Sequence, residues 1–133
     1  MDLSKYDIIF LIAGGNNFYT RDGDFKMHAS TLQQCLLDLE NLICQQSPTT
    51  RLVTTEIFPR NWNGPCNNPG VHKKHCVQAS LINGKHRFDI RLPELWRSRR
   101  HANPRYFVRD GVHLNFEGKD VLCSKWVSYL QSI

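Results

Sequence analysis

The chain has 133 residues, of which 41% are hydrophobic and 22% charged, the composition of one modest globular domain and not of a disordered or multidomain protein. Its longest apolar run, IIFLIA at 8–13, is too short to cross a bilayer, so we expect no membrane span and no membrane partner. The net charge of +5 is uneven, because residues 1–66 carry a net −2 and residues 67–133 a net +7. A basic half of this kind can attract anionic substrates or nucleic acid.

The first half of the chain has the pattern of a strand, a helix and a second strand. Residues 6–13 are nearly all apolar and rich in Ile, which predicts a strand buried on both faces of a parallel sheet. From about Phe25 to Cys44, apolar residues at spacings of three and four predict an amphipathic helix. The residues on its apolar face are Leu32, Cys35, Leu36, Leu39, Leu42 and Ile43. Residues 51–58, RLVTTEIF, predict a second strand that Pro59 ends, so the order indicates a βαβ unit.

The second half has weaker patterns until its end. Residues 59–76 contain three Pro, two Gly and four Asn and predict a long irregular loop. A helix around 72–82, a turn at Asn83-Gly84 and a strand at 87–92 are expected next, followed by irregular basic sequence up to Arg109. Apolar spacing over 116–130 predicts a closing helix, for which Asn115 is placed as the N-cap.

Cysteine usage favours a cytoplasmic chain. The five cysteines are odd in number and not closely spaced, which argues against a disulfide scaffold. Cys35 and Cys44 lie in the apolar-periodic segment, where a free cysteine behaves as a small hydrophobic residue. The N-terminal residues MDLSKYD also lack the basic region and the longer apolar stretch of a signal peptide.

Two short segments contain residue types that support catalysis. Gly14-Gly15-Asn16-Asn17 follows the first strand, where open α/β sheets bind ligands. Its glycines permit a sharp turn and a close backbone approach, so Gly14 and Gly15 are candidates for substrate binding, and the Asn16 side chain can donate to an oxyanion. A plain βα turn explains the same residues, because Gly and Asn both tolerate positive φ.

The second segment is Asp110-Gly111-Val112-His113, just before the closing helix. Imidazole is the side-chain base best matched to neutral pH, and a carboxylate three residues away can fix its tautomer and stabilise the imidazolium. An incidental histidine beside an Asp-Gly turn is the alternative.

Together, GGNN after a strand and DGVHLNFEG before the last helix resemble the SGNH hydrolases, also known as GDSL esterases and lipases. The segment VTTEIFPRNW is also similar to that family's strand followed by Pro-Arg, so the resemblance covers most of the chain. It implies a three-layer α/β/α flavodoxin-like fold and hydrolysis of carboxylic esters, such as acetyl esters, by a Ser-His-Asp mechanism without a cofactor. Matched by position, Asn16 would hold the oxyanion, Asp110 would orient the base and His113 would be the general base.

The chain departs from the family in two respects. Asn17 stands where the family commonly has Asp. The family's Gly-Asp-Ser nucleophile block precedes the GGNN strand, whereas Ser4 lacks that context and Ser30 lies in or near the following helix. We therefore expect residues 1–133 to be a single esterase domain, truncated at the N-terminus and nearly inactive alone. Without the preceding strand, the first strand would present an apolar edge that can pair with another chain.

The basic C-terminal half offers a different function. Arginines are interleaved there with aromatic residues, a combination that contacts phosphates and stacks on bases. These candidates for nucleic-acid contact are Arg97, Arg99, Arg100, Arg105 and Arg109. Similar esterase domains occur in the first open reading frames of some non-LTR retrotransposons, so the resemblance also implies a noncatalytic binding or interaction module. A solvated basic loop explains the same charges.

A metal site is not expected. Cys66, His72, His75 and Cys76 are residue types that bind zinc, but their spacing lacks a Cys-x-x-Cys pair. The adjacent His75 and Cys76 would also rarely share one ion.

Overall fold

A computed structural model describes residues 2–20 and 22–133 as a mixed α/β structure. Strand β1 (Ile8–Leu11), helix α1 (Ala29–Gln46), strand β2 (Arg51–Thr54) and helix α2 (Pro69–Lys85) form the first part. The second part consists of β3 (Trp96–Ser98), β4 (His101–Ala102) and helix α3 (Phe116–Ser132). Short 3-10 helices lie at Leu3–Lys5, Pro93–Leu95 and Pro104–Tyr106. No helix in the described residues is long and apolar enough to cross a membrane.

The predicted strand–helix–strand order is confirmed. β1 and β2 are parallel, with Ile8 opposite Arg51 and Leu11 opposite Thr54. β1 is shorter than the predicted strand at 6–13, and its four side chains are half-buried, so the prediction of burial on both faces is wrong. The physical reason is its position at an edge, because β2 is its only partner strand among the described residues.

Helix α1 begins four residues later than predicted. Phe25 forms an antiparallel bridge with Tyr19, and the amide of Ala29 donates to Oε1 of Gln78 in α2 at 2.9 Å. The buried residues of α1 are Ala29, Leu32, Leu36 and Ile43. Cys35 and Leu42 are exposed, so their predicted place on the apolar face is wrong, and the buried stripe is narrower than the sequence pattern. Cys44 is exposed as well.

The helix expected around 72–82 is confirmed, but α2 is longer at both ends, so the end of the predicted loop over 59–76 and the predicted turn at Asn83-Gly84 are wrong. Asn68 caps the helix by accepting from the amide of Val71, and Pro69 occupies its first turn. The helix runs through Asn83-Gly84 to Lys85. Its buried positions include His72, His75 and Cys76, and its first turn, residues 69–71, was not detected by hydrophobic periodicity.

The predicted strand at 87–92 is reduced to one parallel bridge between Thr55 and Ile90. Side chains replace the missing ladder bonds: Asp89 Oδ2 accepts from the amide of Thr54 at 2.9 Å, and Glu56 Oε1 accepts from the amide of Leu92 at 2.8 Å. Pro93 then starts a 3-10 helix and ends the extended segment.

The region before Arg109 is more ordered than predicted, because β3 and β4 form an irregular antiparallel hairpin.

Two hydrophobic clusters form the core. The first contains Phe18, Ala29, Leu32, Leu36, Ile57, Ala79, Ile82 and Phe88. The second contains Val53, Ile90, Leu92, Leu95, Ala102, Phe107, Leu114 and Leu122.

The closing helix is confirmed. α3 begins at Phe116, and the Asn115 side chain caps it by accepting from the amide of Gly118 at 2.9 Å. Trp126 of α3 stacks on Phe10 of β1, with ring centroids 4.9 Å apart, and so joins the end of the chain to the first strand.

We expect stability to fall in mild acid because of His75. Burial, with the nearby Arg60 charge acting in the same direction, lowers the pKa of His75 to about 3. An unfolded histidine titrates near 6.5, so below that pH the unfolded chain takes up a proton that the folded chain refuses. Between pH 7 and pH 4 the free energy of unfolding should drop by about 3 kcal/mol through this residue alone.

Urea denaturation at several pH values tests this prediction. His75→Gln, which keeps a donor, should lower stability at pH 7 but flatten the pH dependence, whereas the exposed His28→Gln should leave it unchanged. An unaltered slope in His75→Gln would contradict the assignment.

Candidate active site

The predicted base and carboxylate lie at the tip of a tight hairpin. Phe107 and Leu114 form its antiparallel bridge, and the amide of Val108 donates to the carbonyl of His113 at 3.0 Å. At the tip, Asp110 Oδ2 lies 2.6 Å from Nδ1 of His113. The sequence therefore brings the carboxylate and the imidazole into direct contact.

Asp110 is held by three groups. Its Oδ1 accepts from the amides of Val112 and His113 at 2.8 and 3.0 Å, while Oδ2 accepts from the His113 ring. Burial alone would raise the pKa of Asp110, but the hydrogen bonds from the His113 ring and the two amides outweigh it and lower the pKa to about 2. Asp110 is thus an anion at neutral pH, and His113 Nε2 is left to face solvent on a largely exposed ring.

The second segment turns sharply after β1. Gly14 has φ +94°, a conformation that side chains disfavour, and a Cβ there would also overlap the Ile57 side chain. The amide of Asn17 closes the turn on the carbonyl of Gly14 at 3.4 Å. Asn16 is exposed at this turn, and Lys26 Nζ donates to its carbonyl at 3.1 Å.

Arg60 connects the turn to the rest of the site. Its Nη2 donates to the Gly15 carbonyl and to Oδ1 of Asn16, the latter at 3.2 Å. Its Nη1 lies 3.3 Å from Nδ1 of His72. With Oδ1 of Asn16 bound by the guanidinium, the Nδ2 amide group of Asn16 remains as a donor.

Side chains of α2 hold the backbone that carries Arg60. Asn83 bonds both backbone groups of Ile57, at 2.8 and 2.9 Å, and His75 Nε2 bonds the Phe58 carbonyl at 2.8 Å. Cys76 Sγ accepts from the amide of Arg60 and donates to its carbonyl, both at 3.2 Å. Burial raises the pKa of Cys76 to about 11, so the thiol keeps the proton that it donates.

Asn61 joins the two loops. Its amide donates to the carbonyl of Gly111 at 2.7 Å, which brings the Pro-Arg segment against the Asp110–His113 hairpin. Gly111 has φ +76°, and a Cβ there would overlap the Asn61 carbonyl oxygen. Only a glycine fits this contact without strain.

Asn16, Asp110 and His113 line one cavity of about 580 Å³, together with Arg60, Lys26 and His72 among others. Neither Gly14 nor Gly15, the predicted substrate-binding residues, is among the residues that line this cavity. Gly14 is buried, and Gly15 contributes through its carbonyl bond to Arg60.

The described residues that line the cavity include no serine. Tyr19 and Thr20 supply its hydroxyl groups, and Thr20 Oγ1 already accepts from the amide of Asp24 at 2.9 Å. Ser4 instead bonds Asp2 at the start of the chain, and Ser30 lies in the first turn of α1, exposed.

Sequence reasoning did not assign functions to Arg60, His72 or Lys26. The Pro-Arg pair after the second strand was the available signal for Arg60. Burial, with the Arg60 charge acting in the same direction, lowers the pKa of His72, so its ring stays neutral and can accept from the guanidinium. His72 lay in a segment predicted to be mostly loop, and its place in the cavity depends on α2.

The five candidate arginines are separate from this cavity. Arg97, Arg99, Arg100, Arg105 and Arg109 are all exposed. Arg105 Nε pairs with Glu117 at 2.8 Å. At the β3–β4 turn, the Trp62 ring lies 4.8 Å from the His101 ring and donates to the Arg100 carbonyl at 2.8 Å.

Within residues 2–20 and 22–133, no group of three or more His, Cys, Asp or Glu side chains is arranged to hold a metal ion. His75 and Cys76 instead bond backbone groups, as described above.

Comparison with known proteins finds no matching family model and no matching curated protein.

Gly111→Ala tests whether the contact between the two loops depends on glycine. Positive φ and the overlap with Asn61 should together cost about 2 kcal/mol or more of stability. Gly84→Ala is the matched control, because nothing lies within 4 Å of its added Cβ and alanine favours the helix. Thermal unfolding compares the two, and equal melting temperatures would contradict the prediction.

Proposed function

We propose that this chain carries the acid–base and oxyanion parts of an SGNH-type esterase that hydrolyses carboxylic esters, such as acetyl esters. The observation that carries the proposal is the 2.6 Å contact between Asp110 and His113 in the cavity that Asn16 also lines. A carboxylate, an imidazole and an amide donor are the groups that acyl transfer requires besides its nucleophile.

In the proposed mechanism, His113 Nε2 removes the proton of a serine hydroxyl as its oxygen attacks the ester carbonyl. Asp110 stabilises the imidazolium through Nδ1, and Asn16 Nδ2 donates to the oxyanion of the tetrahedral intermediate. His113 then returns the proton to the leaving alcohol, and water hydrolyses the acyl-enzyme by the same steps. The serine comes from outside the described cavity lining, so the chain alone should have little activity.

The proposal includes a three-layer α/β/α fold, for which the arrangement of the hydrophobic core offers support. The two hydrophobic clusters contain residues of α1 and α2 in one case and of α3 in the other. In a three-layer α/β/α flavodoxin-like fold, one cluster would lie on each face of a larger sheet, between the sheet and the helices that cover it. β1 has an edge without a partner strand in the described residues, where a further strand, from a longer protein or another chain, would add.

Sequencing the transcript upstream of the Met1 codon is the first test. We expect in-frame codons for an apolar, strand-forming segment followed by Gly-Asp-Ser. The longer protein translated from them should react with a fluorophosphonate at that serine. A stop codon or unrelated sequence would contradict a serine nucleophile carried by the same chain.

In that longer protein, His113→Ala should lower kcat/KM for p-nitrophenyl acetate by about 10²–10⁴-fold, the usual contribution of a general base. His28→Ala is the matched control, because His28 is also exposed but does not line the cavity. Undiminished hydrolysis by His113→Ala would exclude His113 as the base.

A second candidate function is binding of single-stranded nucleic acid through the β3–β4 turn. Arg99 and Arg100 directly precede His101, whose ring lies 4.8 Å from the Trp62 ring, and Lys73 Nζ lies 5.2 Å from the Trp62 ring centroid. Cations beside a partly exposed indole are the usual means of holding phosphates and stacking bases.

Salt dependence tests this second function. Binding of a fluorescent RNA 12-mer should weaken steeply between 50 and 200 mM salt, and Arg100→Gln should reduce the log–log slope by about 0.7. Lys119→Gln, on α3, is the control. Affinity that ignores salt, or no binding at 50 mM, would exclude this function.

A further inference from the structure

The charge of the active-site cavity indicates its substrate. Two fixed cations, Arg60 and Lys26, line it together with the rings of His72 and His113. The one carboxylate among its described lining residues is Asp110, which is already bound by the His113 ring and two amides. The cavity therefore has an excess of positive charge.

Arg60 is the central residue of this excess. Its guanidinium is half-buried, and no acidic side chain forms an ion pair with it in the described part of the chain. Its partners are neutral: the Gly15 carbonyl, the Asn16 amide oxygen and the His72 ring. These account for three of the five N–H donors of arginine, so two remain for a ligand. Partial burial of a cation without a counter-ion is costly, and a bound anion would offset that cost.

The N-terminus of α2 also adds to the positive potential of the cavity. Asn67, Asn68 and Val71 line the cavity at the N-terminus of this 17-residue helix. The helix dipole adds positive potential there. Pro69 has no N–H and the Val71 amide already donates to Asn68, so the contribution of the helix end is this potential. Arg60, Lys26 and the helix end thus converge on one space.

We propose that the cavity selects esters that carry a negatively charged group, a carboxylate or a phosphate, close to the ester bond. Arg60 binds this group, and Lys26 and the N-terminus of α2 add to its attraction. Since Arg60 also contacts Asn16, an anion bound there would lie within a few bonds of a carbonyl placed at the oxyanion donor. This inference rests on the proposed esterase function for the identity of the ligand as an ester, and on the cavity alone for its charge.

Binding to the 133-residue chain tests the inference without catalysis. Amide chemical shifts would be followed by NMR during titration with monomethyl succinate, which is anionic, dimethyl succinate, which is neutral, and acetylcholine, which is cationic. The expected result is that the anion binds about tenfold or more tightly than the neutral ester at low ionic strength, and the cation least of all. Equal affinities for the three esters would overturn the proposal.

Two variants assign the selectivity to the named residues. Arg60→Gln should abolish the preference for the anion. Arg60 also supports the Gly15 turn, so its replacement can disturb the structure, and Lys26→Gln is the second variant. Removing this exposed charge should lower the anion affinity two- to threefold without unfolding the chain. Arg87→Gln, an exposed arginine outside the cavity, is the matched control and should keep the full preference. An unchanged preference in both cavity variants would overturn the assignment.

Titration with inorganic phosphate distinguishes the two anions. If the Arg60 and Asn16 amide signals shift at lower concentrations of phosphate than of monomethyl succinate, the substrate carries a phosphate. If monomethyl succinate shifts them at the lower concentration, the substrate carries a carboxylate.

The experiments distinguish failure of the anion proposal from failure of the esterase proposal. Hydrolysis that depends on His113 with no charge preference would overturn only the anion proposal. Anion binding with hydrolysis unaffected by His113→Ala would overturn only the esterase.

Discussion

The structure depends on a polar stripe of α2 that binds the backbone after β2. Beyond the bridge between Thr55 and Ile90 the chain leaves the sheet, and the backbone groups of 57–60 would be buried without ladder partners. Asn83, His75 and Cys76 supply those partners from one face of α2. A buried backbone group without a partner costs more than a hydrogen bond gains, so these polar side chains are required where an ordinary helix would carry leucine.

The same stripe positions the chemistry. By holding the backbone of Arg60, α2 directs the guanidinium to the Gly15 carbonyl and to Asn16, while His72 binds its other nitrogen. Asn61, the next residue, bonds Gly111 and draws the Asp110 hairpin to the same place. Segments separated by about a hundred residues in sequence therefore meet through one short stretch of chain.

Neutral side chains make this arrangement possible. Burial lowers the pKa of His75 and raises that of Cys76, so neither is charged beside the Arg60 guanidinium. The cation consequently faces the cavity without an ion pair to an acidic side chain of the described residues, and Asp110 is the one carboxylate that lines the same cavity. The side chains that bond the buried backbone are neutral, so they do not cancel the charge of Arg60. The positive potential therefore remains at a site that also holds an imidazole–carboxylate pair.

Local patterns in the sequence determined the elements whose signal lies in neighbouring residues: the parallel βαβ unit, the Asn115-capped helix and the Asp110–His113 contact, which spans only three residues. The extent of β1, the later start of α1 and the extension of α2 to Pro69 and to Lys85 were decided by tertiary structure. An edge position limits burial, the bridge between Tyr19 and Phe25 delays α1, and α2 buries His72, His75 and Cys76 where a periodicity argument expects apolar residues. Arg60 reached the cavity for the same reason, because its contacts lie 12 to 45 residues away along the chain.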